Sequence, residues 1–422
     1  MKNRKPAPVF LFLFFGLTLP LFAQRISRDL FTAMGAYRLT DSSFAMVGMI
    51  DDLPVIIFQD GSIRGLRKAG RSYEIGNALG LFDQVEGTVE FDKKKTGLTI
   101  VGKGNTQSGT RIPLGQKDLD FRNGGIQLHG TLILPEGNGP FPCVVMTHGS
   151  GPEKREASLG LAGLFAGNGT AAFIYDKRLA REMGDKWQDD SFLHYAEDAV
   201  AAAQALAQEP AVDAARIGIF GHSQGGWVAP LAASQSGIFK FVIISAGNAV
   251  TPVEQHLWSG TRANQLSGVR EDIIREIYDF RKIKYEAGIT GDSSEYKVAL
   301  PIAMQKPWFQ RTGGNLPTGA FWKLNGYYDP KPALLALKCP VLVIGGEKDN
   351  HSNTADNMDR FREIFHQSGN DQVAFKVFPS ADHGYFETAT GQFMETELKE
   401  LKRFVPGYFD TLVGWTKSAT AH

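Results

Sequence analysis

The chain has 422 residues, 43% of them apolar and 21% charged, with 45 Lys and Arg against 45 Asp and Glu. This composition excludes a mostly disordered chain, and zero net charge argues against a dedicated nucleic-acid binder, whose grip rests on clustered Lys and Arg. The length allows two or three domains with ample core, and the 47 glycines follow no three-residue period, so the chain is not collagen-like.

Lys2, Arg4 and Lys5 precede an apolar stretch from Val9 to Leu19, followed by Pro20-Leu21-Phe22-Ala23. A basic head, an apolar run and a small residue at the exit predict a secretory signal peptide over residues 1–23. The rival reading, a membrane anchor, needs about 20 apolar residues, and this run falls short. No Cys follows the expected cut after Ala23, which argues against a lipid anchor. Removal of the segment leaves 42 basic against 45 acidic residues, a net charge of −3. The mature chain is then expected to be exported to the periplasm or the extracellular space. No later segment reads as a membrane span.

From residue 24 to about 115 the sequence reads as a small β-rich domain. Val55-Ile56-Ile57-Phe58 before Asp60-Gly61, Val89-Glu90-Phe91 and Gly97-Leu98-Thr99-Ile100-Val101 are short strands between turn residues. Lys93-Lys94-Lys95, flanked by Phe91-Asp92 and Thr96-Gly97, reads as a solvated hairpin turn. This domain carries no chemical constellation.

Residue 116 opens a different pattern. Leu119-Asp120-Phe121 and Ile126 to Leu134 alternate as a half-exposed hairpin would, with Asn123-Gly124 at the turn. Apolar runs suited to buried parallel strands follow: Val144–Met146, Ala171–Tyr175, Ile217–Phe220, Phe241–Ile244, Val341–Ile344 and Ala374–Phe378. Helical stretches such as His194–Gln208 and Met358–Gln367 lie between them, so the alternation predicts a doubly wound, mostly parallel α/β sheet. Residues 248–337 break the alternation with a helical segment, Glu271–Glu286, and many aromatics. They read as a helical cap inserted between core strands, dividing the core into residues 116–247 and 338–422. Cys143 and Cys339 each open an apolar strand-like run and read as buried free thiols. They make no zinc site.

Gly221-His222-Ser223-Gln224-Gly225 follows one of these strands directly and precedes a helix-compatible run. A nucleophilic Ser must stand on a sharp strand-to-helix turn, and small residues two before and two after let the backbones pass. The helix start behind it supplies N–H groups for an anionic intermediate. Three more elements end strands of the same sheet: His148-Gly149-Ser150-Gly151, Asp349 in Gly345-Gly346-Glu347-Lys348-Asp349, and His383 in Ser380-Ala381-Asp382-His383-Gly384. Open parallel sheets place their sites at those carboxyl ends.

In these motifs, and in the chain order Ser, Asp, His, residues 116–414 outside the cap resemble the α/β-hydrolases of the serine esterase type. The resemblance implies Ser223 as nucleophile, Asp349 as acid and His383 as base, with Glu347 and Asp382 as substitutes for the acid. It implies an oxyanion hole from the backbone N–H groups of Gln224 and Ser150, with Gly151 as runner-up for the second. His148-Gly149-Ser150-Gly151 departs from the His-Gly-Gly-Gly of one lipase group, and within the family the resemblance then points to the hydrolases of short-chain or acyl-sugar esters. Asp176-Lys177-Arg178 also resembles these enzymes, where a structural role is expected. His148 and His222 shape loops, and Asp349 could instead cap a helix. Of the cap aromatics, Trp308 and Trp322 are the candidate substrate contacts. The resemblance implies a small-molecule ester substrate and no metal or organic cofactor, and it leaves the oligomeric state open. A serine peptidase or aminoacyl hydrolase on the same core is the alternative activity, and a non-catalytic binding protein the more distant one.

Overall fold

A computed structural model describes residues 28–50, 53–79, 82–102, 104–178, 190–391 and 401–421. The expected signal peptide, residues 1–23, lies outside them. After a short helix α1 (Arg28–Ala33), eight antiparallel strands close into a barrel. These are β1 (Gly35–Leu39), β2 (Phe44–Ile50), β3 (Leu53–Phe58), β4 (Ile63–Ala69), β5 (Ser72–Gly76), β6 (Val85–Phe91), β7 (Gly97–Gly102) and β8 (Asn105–Arg111). Closure leaves no unpaired strand edge, which is how so small a β unit avoids edge-to-edge association.

Successive side chains of a strand point to opposite faces, and here both faces are apolar for different reasons. Tyr37, Ala45, Val47, Ile56, Leu66 and Val89 fill the barrel interior. Met46, Val55, Ile57 and Ile63 point outward and join the core of the second unit. That is why Val55–Phe58 reads as an unbroken apolar run. The Lys93–Lys95 run sits at the β6–β7 turn, where Lys95 pairs with Asp29 at 2.6 Å.

The second unit is an eight-stranded sheet in the order β16-β15-β14-β13-β11-β12-β10-β9. Its members are β9 (Gly115–Asn123), β10 (Ile126–Leu134), β11 (Phe141–Thr147), β12 (Ala171–Tyr175), β13 (Val212–His222), β14 (Val242–Ser245), β15 (Val341–Gly346) and β16 (Val373–Phe378). The hairpin β9–β10 is antiparallel and joins β12 antiparallel, while all pairs from β12 through β11, β13, β14 and β15 to β16 are parallel. Helices cover both faces: α2 (Leu159–Gly167), α3 (Phe192–Leu206), α4 (Gly225–Gln235), and, after the insertion, α11 (Thr354–Ser368) and α12 (Tyr408–Ala419). Helix α3 begins ahead of His194 because the Ser191 side chain accepts the His194 N–H and caps it. Between β14 and β15 lie α5 (Pro252–Leu266), α6 (Glu271–Thr290), α7 (Ser294–Met304), α8 (Phe309–Thr312), α9 (Ala320–Asn325) and α10 (Lys331–Ala336). Thr251 and Glu254 form a capping box at the start of α5, which fixes where the chain leaves the sheet. Among the described residues no helix is long and apolar enough to cross a membrane. Both cysteines are free, Cys143 buried and Cys339 half-buried.

The two units are sewn together by residues 401–405. On one side Ile63 N–H bonds Lys402 O at 2.7 Å, Leu79 N–H bonds Leu401 O at 2.9 Å, and Phe404 N–H bonds Gly61 O at 2.8 Å. On the other side Glu387 N–H bonds Arg403 O at 3.0 Å and Val405 N–H bonds Tyr385 O at 2.9 Å. The segment thus pairs with the barrel along one edge and with the stretch just after His383 along the other.

Gly61 has φ +88°, and a Cβ there would stand 2.7 Å from the Phe404 carbonyl oxygen. Gly70 has φ +64° with nothing within 4 Å. Gly70→Ala therefore meets only the backbone penalty, about 1 kcal/mol, whereas Gly61→Ala must also displace the 401–405 segment and is expected to cost about 2–3 kcal/mol. Chemical denaturation of both variants checks this, and equal losses would show that the Phe404 contact contributes nothing.

Candidate active site

Strand β13 ends at His222, and α4 begins at Gly225. The turn between them holds Ser223 at φ 55°, a left-handed conformation that a residue with a Cβ rarely adopts. Two crowding contacts hold it there. A Cβ at Gly221 would lie 2.0 Å from Gly225 O, and one at Gly225 would lie 2.7 Å from Thr147 Oγ1. The Ser223 N–H is anchored on Ser245 O at 2.9 Å, so the turn is fixed to β14 as well.

His383 lies in the loop after β16 and Asp349 in the loop between β15 and α11. His383 Nδ1 is 2.7 Å from Asp349 Oδ2, and His383 Nε2 is 2.9 Å from Ser223 Oγ. A carboxylate only accepts, so Nδ1 carries the proton and donates it to Asp349. That leaves Nε2 to accept the Ser223 hydroxyl proton. The other Asp349 oxygen accepts the His351 and Ser352 N–H groups at 2.7 and 2.8 Å. Asp349 is not a helix cap, since α11 starts later, with Asn353 in that position.

The substitute acids go elsewhere. Glu347 accepts the Ser380 N–H at 3.0 Å beside Lys348. Asp382 accepts the Gly384 and Phe386 N–H groups at 2.8 and 2.9 Å, bracing the loop that carries His383. Burial pushes the Asp382 carboxyl up to about 6.

Burial disfavours charge on both main partners, yet their mutual attraction wins. Burial draws the His383 imidazole down, but the charge and hydrogen bond of Asp349 outweigh it and hold the imidazole above its ordinary value. Asp349 falls below its ordinary value for the reciprocal reason, against its own burial. The surrounding imidazoles stay neutral. Burial takes His222 down to about 3 and His351 down to about 4, each helped by repulsion from His383. Their rings stand 5.1 and 5.0 Å from the His383 ring. His222 Nδ1 contacts Ser245 Oγ at 3.2 Å, and His148 Nε2 donates to Tyr175 O at 2.5 Å. Both are loop-shaping groups.

Two neighbouring turns lie at this end of the sheet, for a Cβ at Gly225 would stand 2.7 Å from Thr147 Oγ1 and 3.0 Å from His148 O. Gln224, buried, opens α4, and its backbone is helical at φ −54°. Ser150, half-buried, and Gly151, at φ +116°, lie in the loop after β11. The two turns are bridged by Lys177, which follows β12. Its Nζ donates to Gly149 O at 2.7 Å and to Gln224 Oε1 at 2.6 Å. Glu153 Oε2 accepts the Gly149 N–H at 3.0 Å. Burial pushes the Lys177 ammonium down to about 7 against the Glu153 charge, and pushes Glu153 up against the Lys177 charge. Sequence reasoning assigned Lys177 only a structural place. The available signal was a charged triplet, Asp176-Lys177-Arg178, ending an entirely apolar strand: Arg178 spans Asp198 and Asp190 at 2.5 and 3.1 Å, which leaves Lys177 for the turns.

The insertion reaches the same region through α5. Arg262 Nε donates to Asn350 Oδ1 at 3.1 Å, and Gln255 Nε2 donates to the His351 carbonyl. Trp322 packs on His256 at 4.7 Å and on Tyr285 at 4.6 Å, half-buried. Trp308 is placed differently from the expectation. It is 6% exposed within the insertion's own core of Ile277, Phe280, Tyr296 and Ala303, and its indole N–H donates to Glu276 at 2.8 Å. With its ring enclosed and its one donor satisfied, it is a core residue of the insertion. Among the described residues no group of three or more His, Cys, Asp and Glu side chains is arranged to hold a metal ion.

The Alpha/beta hydrolase family pattern matches residues 144–396. Esterase EstD of Thermotoga maritima is 25% identical over 327 residues, covering 74% of this chain and 72% of that protein. Thiohydrolase aneE of Aspergillus aculeatus is 25% identical over 264 residues, covering 57% of this chain and 79% of that protein. Among solved structures, an esterase of Pyrobaculum calidifontis is similar over 73% of this chain and 86% of that one, with 16% identity and a TM-score of 0.45.

The electrostatics of His383 can be measured without any substrate. Its imidazole should titrate above the ordinary value of about 6.5. In Asp349→Asn the attraction is gone and burial remains, so the midpoint should fall below that value. The NMR resonances of the His383 ring across a pH series test the sign. A midpoint unmoved by the substitution would mean that Asp349 does not set it.

Proposed function

The chain belongs to the alpha/beta hydrolase family, and within it we propose that it is a serine esterase working through Ser223, His383 and Asp349. The single observation carrying this reading is the hydrogen-bonded chain from Ser223 Oγ through His383 to Asp349, set on a strained turn at the carboxyl edge of the sheet. In the first step Ser223 Oγ attacks the ester carbonyl while His383 Nε2 takes its proton. Asp349 keeps Nδ1 protonated and stabilises the imidazolium. The N–H groups of Gln224 and Ser150 hold the tetrahedral oxyanion. His383 then returns the proton to the leaving alcohol, and water, activated by the same imidazole, releases the acyl group.

The acyl group should be short. The α5–α10 insertion approaches the site through Gln255 and Arg262, with Trp322 packed on the adjoining His256, and a roof discriminates by sterics, whereas an open groove would gain about 0.8 kcal/mol per buried CH₂. Acyl thioesters, which the name of the Aspergillus relative suggests, and aminoacyl amides are the competing substrates. Residues 1–23 are proposed to be removed on export, which predicts Gln24 as the first residue of the chain recovered from the periplasm or medium.

Ser223→Ala should lower kcat on p-nitrophenyl butyrate by about 10³–10⁶-fold with an unchanged melting curve. Asp349→Asn should lose about 10⁴-fold near neutral pH, and Glu347→Gln far less. A panel of acyl esters, thioesters and aminoacyl-anilides reads the substrate class. Activity of Ser223→Ala within tenfold of the wild type would sink the assignment, and preference for the anilides would replace esterase by aminoacyl hydrolase.

For the insertion, kcat/KM should fall from butyryl to octanoyl esters, and Trp322→Ala should flatten that fall. Trp308→Ala should leave the profile unchanged and lower stability by about 3 kcal/mol, as loss of an enclosed ring does. A wild-type profile rising steadily to long chains would mean an open groove instead of a roof.

A further inference from the structure

We propose that Lys177 and Glu153 are a positioning pair that sets the separation of the two turns carrying the oxyanion donors. The proposal rests on the esterase reading above and assigns a role beyond it. An oxyanion hole works only when its N–H groups, drawn from two unrelated loops, point at one spot before the charge develops. Ser223 and Gln224 are held by β13, β14 and α4, but Ser150 sits on a separate loop after β11. Lys177 is the tie. It lies just past the end of a third strand, β12, is 2% exposed, and donates at once to Gly149 O, the carbonyl of the very peptide that carries the Ser150 N–H, and to Gln224 Oε1. Glu153 grips the preceding peptide, on the other side of the Gly149 Cα, through the Gly149 N–H. The Lys177 N–H in turn bonds the Glu153 carbonyl at 3.1 Å, tying the segment after β12 to that loop through the backbone as well.

A buried ammonium is a costly way to hold two carbonyl groups if packing alone were wanted. What it adds is charge-assisted bonds in fixed directions, and a positive charge on the carbonyl side of the peptide that polarises the Ser150 N–H toward the oxyanion. Neither group touches the reacting atoms.

The test separates positioning from stability by comparing Lys177→Met, Glu153→Gln and the double variant K177M/E153Q. Each single change leaves one buried charge without its partner and should lower Tm, while the double variant, with no buried charge, should regain most of it. Positioning predicts that kcat for p-nitrophenyl butyrate stays about 10–100-fold down in the double variant, with KM within about threefold, because the donors are no longer aligned. It also predicts that inhibition by butylboronic acid, which forms a tetrahedral adduct on serine, weakens by a similar factor. Return of kcat and boronate affinity together with Tm would overturn the proposal. If the double variant does not fold, Gln224→Met, which keeps both charges and removes one acceptor, should still lower kcat severalfold with KM held, and no loss there would overturn it. Fluorophosphonate labelling of the wild type keeps the two readings apart. Failure to label Ser223 would fell the esterase reading itself, whereas normal labelling with an unaffected double variant fells only the role of the pair.

Discussion

Ser223 occupies a backbone conformation that costs an ordinary residue about 1–3 kcal/mol, and the surroundings leave it no alternative. A Cβ at Gly221 would run into the Gly225 backbone, and one at Gly225 would run into Thr147. The Ser223 amide is bonded to Ser245 on the neighbouring strand, and Trp227, one turn into α4, is stacked on Phe192 at 5.3 Å. The strain is therefore stored locally and held by a sheet that is buried on both faces. Its product is a hydroxyl that stands clear of the sheet edge, where loops from β11, β15 and β16 can reach it.

Around that hydroxyl, burial and charge are set against each other. A buried imidazole prefers to be neutral, and His148, His222, His256 and His351 all obey that preference. His383 departs from it because Asp349, itself buried and holding two backbone N–H groups, can discharge its remaining preference only on the His383 ring. A proton arriving at Nε2 is thus stabilised at one imidazole and at none of its neighbours. The Lys177 and Glu153 pair stands against Gly149 and Gln224, so buried opposite charges face each other beside the neighbouring turns as well.

The barrel takes part in this through one short segment. Residues 401–405 are bonded to Gly61, Ile63 and Leu79 of the barrel unit and, on their other edge, to Tyr385 and Glu387. Phe404 stacks on Phe386 at 4.5 Å, and Tyr385 donates through its hydroxyl to Ile344 O on β15. The loop bearing His383 is consequently braced from the sheet on one side and from the barrel on the other. Met46 of β2 packs against α2 where the units meet, 3.4 Å from where a Cβ at Gly160 would stand, which is an ordinary van der Waals contact.

The sheet and the site were legible in the sequence because both rest on local rules. Fully buried parallel strands must be unbroken apolar runs, and a nucleophile on a strand-to-helix turn must have small residues two before and two after it, so β11 to β16 and Ser223 could be read without coordinates. Asp349 and His383 could be located after successive strands, but their roles came from the resemblance to the α/β-hydrolases, and choosing Asp349 over Glu347 and Asp382 as the partner of His383 took the coordinates. What needed the tertiary structure was everything decided between distant segments. The closure of the first eight strands into a barrel, the apolar outer face of Val55 and Ile57, and the clasp at residues 401–405 leave no periodic trace, because each depends on a partner far away in sequence. The two tryptophans show the same limit, for identical residue types in one aromatic-rich stretch ended up in different places. Trp308 went into the insertion's own core, where Glu276 waits for its indole N–H, and Trp322 went between His256 and Tyr285. Lys177 is the clearest case. Its residue type and its place after a strand are in the sequence, but its function lies in two acceptors on two other turns, and only packing brings Gly149 and Gln224 within reach of one ammonium.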